Sequence, residues 1–192
     1  MPGRQAKFIT PMVERRMLTW AARQRHPERA RVILMLSLKA GLRAGEIAML
    51  TWPMVVDPRG RVGSVIELMD CAAKKGSGRR VPIHPDLKSA LARLRVLSPD
   101  LNGPVVPSSR GGHLRANSVV NLFVALFREL GIEGCSSHSG RRTFITRAAR
   151  SAHKAGGSLR DVQLLAGHRS IETTQQYIDG DSDAQRRLVR LI

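Results

Sequence analysis

Aromatic residues are scarce, at 4% of the chain, so any core must be built mainly from Leu, Val, Ile, Ala and Met. The scarcity also removes the stacked-aromatic platforms by which RNA-binding modules read bases. Cysteine occurs twice, as Cys71 and Cys135, with no CxxC pair and no disulfide framework. That points to a soluble protein of a reducing, cytoplasmic compartment. No uncharged apolar run approaches the roughly 18 residues of a membrane helix. The stretch 32–38 comes nearest, and it contains Ser37. The N-terminus has no apolar signal core. Zinc-ligand spacings, HExxH, EF-hand loops and the Walker phosphate loop are all missing, so neither metal nor nucleotide cofactor is expected.

Acidic residues are the other shortage. Asp and Glu number 15 against 32 Lys and Arg, a formal charge of +17, and 26 of the 32 are Arg. An excess of planar, forked guanidiniums favours a polyanionic, phosphate-bearing partner over a small-molecule enzyme. The length of 192 residues suits one domain, and 42% apolar content is enough to fill its core.

Capping and periodicity predict a mainly helical α+β chain. Thr10 and Pro11 open a first helix in which Met12, Val13, Met17, Leu18 and Ala21 recur at helical spacing. Further helices are expected over 27–40, 44–50, 85–97, 117–130, 139–152, 159–166, 171–178 and 183–192. The segment 32–38 is apolar nearly all round and should be the buried central helix. Gly41, Gly131 and Gly167 are helix stops. Three β-prone runs, 55–56, 65–69 and 79–83, are separated by turn chemistry and predict a small three-stranded antiparallel sheet. Pro82 belongs at a strand end or sheet edge. No repeat or linker divides the chain, so 1–192 reads as a single domain.

Five polar clusters interrupt this pattern. Arg43 follows the Gly41 stop directly after the buried helix, and Glu46 lies three residues on, where it can orient Arg43. Lys74, Lys75, Arg79 and Arg80 crowd a hairpin tip. His138 and Arg141 are three apart at a helix start that favours an anion, with Arg142 beside them. His168 follows Gly167, with Arg169 next to it. Tyr177 is the only tyrosine. Taken singly, each has a plain structural reading as a salt bridge, a solvated turn, a cap or a half-buried packing residue.

Their order and spacing resemble the tyrosine recombinase (phage integrase) family. AGLRAGEIAML looks like its first-arginine box, KKGSGRRVPI like its lysine hairpin, HSGRRTF like its His-x-x-Arg box, and LAGHRSIETTQQYI like its Gly-His…Tyr segment. The resemblance runs from about Thr10 to Tyr177 and implies a site-specific recombinase of double-stranded DNA. Tyr177 would be the nucleophile that forms a 3′-phosphotyrosyl link. Arg43 and Arg141 would clamp the phosphate, and His138 and His168 would hydrogen-bond it. Lys74 would be the general acid, with Lys75 the alternative, and Glu46 would hold the Arg43 region. Lys75, Arg79, Arg80, Arg142 and Arg169 would contact DNA. A homotetramer on DNA is implied, with a monomer in isolation. A non-catalytic DNA-binding accessory protein on the same fold is the alternative.

The chain departs from the family pattern in three places. Gly140 stands where a leucine is usual, and Arg142 where a histidine is common. The lysine is doubled. Only about ten residues precede the catalytic-domain pattern, so the expectation is a catalytic domain without the usual N-terminal core-binding domain, either a fragment or a naturally short recombinase.

Overall fold

In the computed structural model, residues 6–73, 76, 78–98, 100–177 and 189–190 are described. Among them the helices are α1 (Pro11–Ala22), α2 (Pro27–Lys39), α3 (Ala44–Met49), α4 (Pro85–Val96), α5 (Ala116–Glu129), α6 (Ser139–Ala152), α7 (Leu159–Ala166) and α8 (Ile171–Gln175). Two strands, β1 (Val65–Leu68) and β2 (Arg79–Pro82), lie between α3 and α4. No helix among the described residues is long and apolar enough to cross a membrane.

Local chemistry sets most helix ends where the sequence predicts them. Thr10 Oγ1 accepts the Val13 amide at 3.3 Å with Pro11 in the first turn of α1. The Ser158 amide and hydroxyl both donate to Asp161, at 2.7 and 2.8 Å, and start α7. Helix α5 opens one residue early, at Ala116, and α8 closes at Gln175 rather than at 178. Residue 178 lies outside the described residues, as does most of the helix expected over 183–192.

Helix α2 is the axis of the molecule. Val32, Ile33, Leu34, Met35, Leu36, Ser37 and Leu38 are all buried, as a run apolar in all but Ser37 requires, and α1, α4 and α6 pack around them. The main core extends from there to Trp52, Ile66, Leu91 and Phe123. A second, smaller core of Ile145, Val162 and Ala166 joins α6 to α7, with Phe144 and Tyr177 packed on it.

Among the described residues the sheet has two strands, not the three expected. Strand β1 pairs antiparallel with β2, Val65 opposite Pro82 and Leu68 opposite Arg79, so Pro82 does fall at a strand end. The run 55–56 fails as a strand because the 3-10 turn Trp52–Met54 takes its amides. Val55 N and Val56 N both donate to the Trp52 carbonyl, at 2.8 and 3.0 Å. Val56 retains only an isolated bridge to Val62. Burial of the Trp52 ring wins over the β-propensity of two valines.

Gly140 has a structural reason. It lies where α6 crosses α2, and a Cβ there would run into Ser37 Oγ and stand 2.9 Å from Ser37 Cβ. A leucine at this position needs a wider helix separation. The glycine therefore exchanges side-chain burial for close helix approach.

Candidate active site

Two left-handed glycines set the floor of the site. Gly41 (φ 64°) ends α2 and turns the chain so that Arg43 becomes the N-cap of α3. Gly167 (φ 63°) ends α7 and delivers His168. A residue with a Cβ resists both conformations.

Arg141, in the first turn of α6, ties these turns together. It is 4% exposed. Its Nη1 donates to the Gly41 carbonyl and its Nη2 to the Ala166 carbonyl, both at 2.6 Å. Burial, and then the neighbouring charge of Arg43, bring its pKa down to about 10, so it stays cationic at neutral pH.

Glu46 is 1% exposed and serves two arginines. The Arg43 amide donates to Oε2 at 2.9 Å, and Arg43 Nη1 to Oε1 at 2.8 Å. Arg79 donates from Nη1 to Oε1 at 3.0 Å and from Nη2 to Oε2 at 2.9 Å. Burial alone would raise the Glu46 carboxyl. The hydrogen bonds and charge of Arg79, followed by those of Arg43, overcome it and hold the pKa at about 2.

The His168 backbone is pinned on both sides: its amide donates to the Gln163 carbonyl at 3.1 Å, and Gln163 Nε2 donates to its carbonyl at 3.0 Å. Its Nδ1 lies 2.9 Å from the buried Thr174 hydroxyl. Burial first, then the charges of Arg141, Arg43 and Arg79, lower its pKa to about 4. The ring is neutral at pH 7.

Tyr177 stacks on that ring, with centroids 5.5 Å apart and planes at 24°. Its amide donates to the Thr174 carbonyl at 3.1 Å, and its carbonyl accepts from Thr146 Oγ1 at 3.3 Å. Tyr177 also lines an open cavity of about 220 Å³ with His138, Arg142, Thr173, Gln176 and Ala6.

Of the residues singled out in the sequence, Arg43, Glu46, Arg141, His168 and Tyr177 form one electrostatically linked group, and His138 and Arg142 reach Tyr177 through the cavity. Arg169 is exposed. Arg80 faces outward on β2 against Glu67 at 3.4 Å. Lys74 and Lys75 lie outside the described residues. Arg79 departs from the expectation of a surface DNA contact. Its side chain is 6% exposed, its Nε donates to the Leu165 carbonyl at 2.9 Å, and its other nitrogens hold Glu46. The buried carboxylate draws it inward. Thr174, Gln163 and Thr146 join the site with no signal in the sequence that singles them out. Thr174 sits three residues before Tyr177, but nothing local marks its hydroxyl for His168.

A model of the phage integrase family matches residues 7–183, and the chain belongs to that family. The tyrosine recombinase XerC of Brucella suis biovar 1 (strain 1330) is 32% identical over 154 residues, 78% of this chain and 46% of that protein. The XerC of Methylobacterium sp. (strain 4-46) is 33% identical over 160 residues, 78% of this chain and 45% of that protein. The chain thus spans about half the length of these relatives. Among solved structures, XerA recombinase superposes with a TM-score of 0.73 at 23% identity, covering 100% of this chain and 65% of that one. The Tn1549 transposon integrase in complex with a circular intermediate DNA gives 0.73 at 18% identity, covering 100% and 67%. A lambda integrase dimer bound to a COC' core site gives 0.68 at 20% identity, covering 94% and 62%. At these identities the likeness is one of fold.

Proposed function

We propose that this chain is the catalytic domain of a site-specific DNA recombinase that cuts and rejoins strands through a 3′-phosphotyrosyl intermediate. The observation that carries the reading is the stacking of Tyr177 on a neutral His168 beside three arginines.

Phenols are weak nucleophiles near neutral pH and need assistance. In the proposed reaction Tyr177 Oη attacks the scissile phosphorus and loses its proton to His138. The bond to the 5′-oxygen breaks, and Lys74 or Lys75 protonates that oxygen as it leaves. Attack by a 5′-hydroxyl on the phosphotyrosine reverses each transfer and releases Tyr177. The donors that Arg43 and Arg141 do not use within the protein take the non-bridging oxygens as charge accumulates. One phosphodiester is exchanged for another, so the step needs no external energy source.

Double-stranded DNA is the proposed partner, and a homotetramer the proposed active assembly. The lambda integrase dimer bound to its core site supports assembly on DNA. Cytoplasmic residence is proposed with that substrate. The accessory-protein alternative has no specific observation in its favour.

The test is covalent trapping. The protein and its Tyr177→Phe variant are incubated with supercoiled plasmid and with nicked duplexes carrying a randomised segment, then denatured. A protein–DNA adduct that requires Tyr177 is expected. Salt-sensitive DNA binding without any adduct would leave the accessory reading in its place.

A further inference from the structure

Glu46 presents one negative charge to two arginines. Its partition is unequal. Arg79 engages both carboxylate oxygens in a fork-to-fork pair, whereas the Arg43 guanidinium reaches only Oε1 through one nitrogen, and Oε2 takes the Arg43 backbone amide. Exposure follows the same division: the Arg79 side chain is 6% exposed and that of Arg43 27%. Arg79 is also fixed from behind. Its Nε is held by the Leu165 carbonyl, and its guanidinium lies against Gly167, where a Cβ would approach it to 2.9 Å.

A buried carboxylate that lost its bidentate partner would turn to the nearest remaining cation. Among the described residues that cation is Arg43. A guanidinium forked onto Glu46 would then have fewer donors, and less uncompensated charge, to give to a phosphate.

We propose that Arg79 is a positioning residue that occupies Glu46 so that Arg43 keeps its charge and donors for the scissile phosphate. Arg79 acts through Arg43 and does not touch DNA. It also joins the start of β2 to the turn before His168, which sets β2, Arg43 and His168 in one frame. This inference rests on the recombinase reading for the identity of the phosphate.

The test is a double-substitution cycle on the whole chain. Adduct formation is measured on the nicked duplexes for the native protein, Arg79→Met, Glu46→Gln and the double variant. Removing one donor of this kind costs roughly 10²–10³ in rate, and Arg79→Met should show a loss of about that size. Glu46→Gln removes the competing charge, so the double variant should recover at least roughly tenfold over Arg79→Met. Arg79→Lys, which keeps a cation but not the fork, should fall between native and Arg79→Met and serves if the methionine variant does not fold. DNA affinity against salt gives a second readout that does not need cleavage. Arg79→Met should lose about 0.9 from the log–log slope, the equivalent of one phosphate contact, and the double variant should regain it.

A double variant as slow as Arg79→Met, with an unrestored salt slope, overturns the proposal and leaves Arg79 a structural strut. Native rates in both Arg79→Lys and Arg79→Met overturn it as well. A native protein that forms no adduct but shows the slope lost and regained overturns the recombinase reading and leaves the role of Arg79 toward Arg43 standing.

Discussion

The Thr174 hydroxyl lies 2.9 Å from His168 Nδ1, on the ring against which Tyr177 stacks. Burial and three arginines keep that ring neutral, so it carries a single proton. Phosphate oxygens only accept. For His168 to donate through Nε2, Nδ1 must be the acceptor and Thr174 the donor. In the proposed reaction a buried threonine six residues away is the group that holds the histidine in that tautomer.

Thr174→Val exchanges the hydroxyl for a methyl at nearly constant volume. The His168 ring should then populate both tautomers, and adduct formation should fall roughly tenfold, about the value of one hydrogen bond. Thr174→Ser should keep both properties. Long-range proton–nitrogen NMR of the His168 ring reads the tautomer directly. An unchanged Nε2–H form in the valine variant, at native rate, would refute the assignment.

Stability should decline steadily on acidification. The His168 pKa is depressed from its ordinary 6.5 to about 4, so the unfolded chain binds the extra proton first, and stability is lost as pH falls from 6.5 towards 4. Glu46 is depressed from 4.5 to about 2, so its contribution is complete above 4.5 and disappears towards 2. For this buried carboxylate that is about 3 kcal/mol. Urea unfolding at pH 7, 5.5 and 4 measures the upper window, and His168→Gln should flatten it.

Gly140→Ala should be destabilised by about 1–3 kcal/mol, because the new methyl meets Ser37 across the α2–α6 contact. Combining it with Ser37→Gly should cost less than the two changes added together. Urea midpoints of the four proteins give the coupling, and strict additivity would show that the helices do not meet there.

Gly167→Ala confronts a positive φ of 63° and a Cβ position 2.9 Å from the Arg79 guanidinium. The expected loss is about 1 kcal/mol or more of stability. Adduct formation should fall further than stability alone explains, since the turn places both His168 and the Ala166 carbonyl that holds Arg141. Native adduct rates in a folded alanine variant would show that this turn tolerates displacement.

The sequence alone determined what short-range physics decides. Thr10 with Pro11, and Ser158 with Asp161, opened their helices, and Gly41 and Gly167 closed theirs, because caps and left-handed turns involve residues only a few positions apart. The apolar run of α2, broken only by Ser37, announced its central position for the same reason. The order of Arg43, Arg141, His168 and Tyr177 was also legible, since their motifs are local. Only the tertiary structure decided which partners those residues meet. Arg79 and Glu46 are 33 positions apart, and burial turned an apparent surface arginine into the counter-ion of a buried carboxylate. The third strand vanished because the fold buried Trp52 and used the neighbouring amides in its turn. Gly140 acquired its meaning from Ser37 on another helix. In each case the deciding energy lies in desolvation and packing between segments distant in the chain, and no local pattern encodes it.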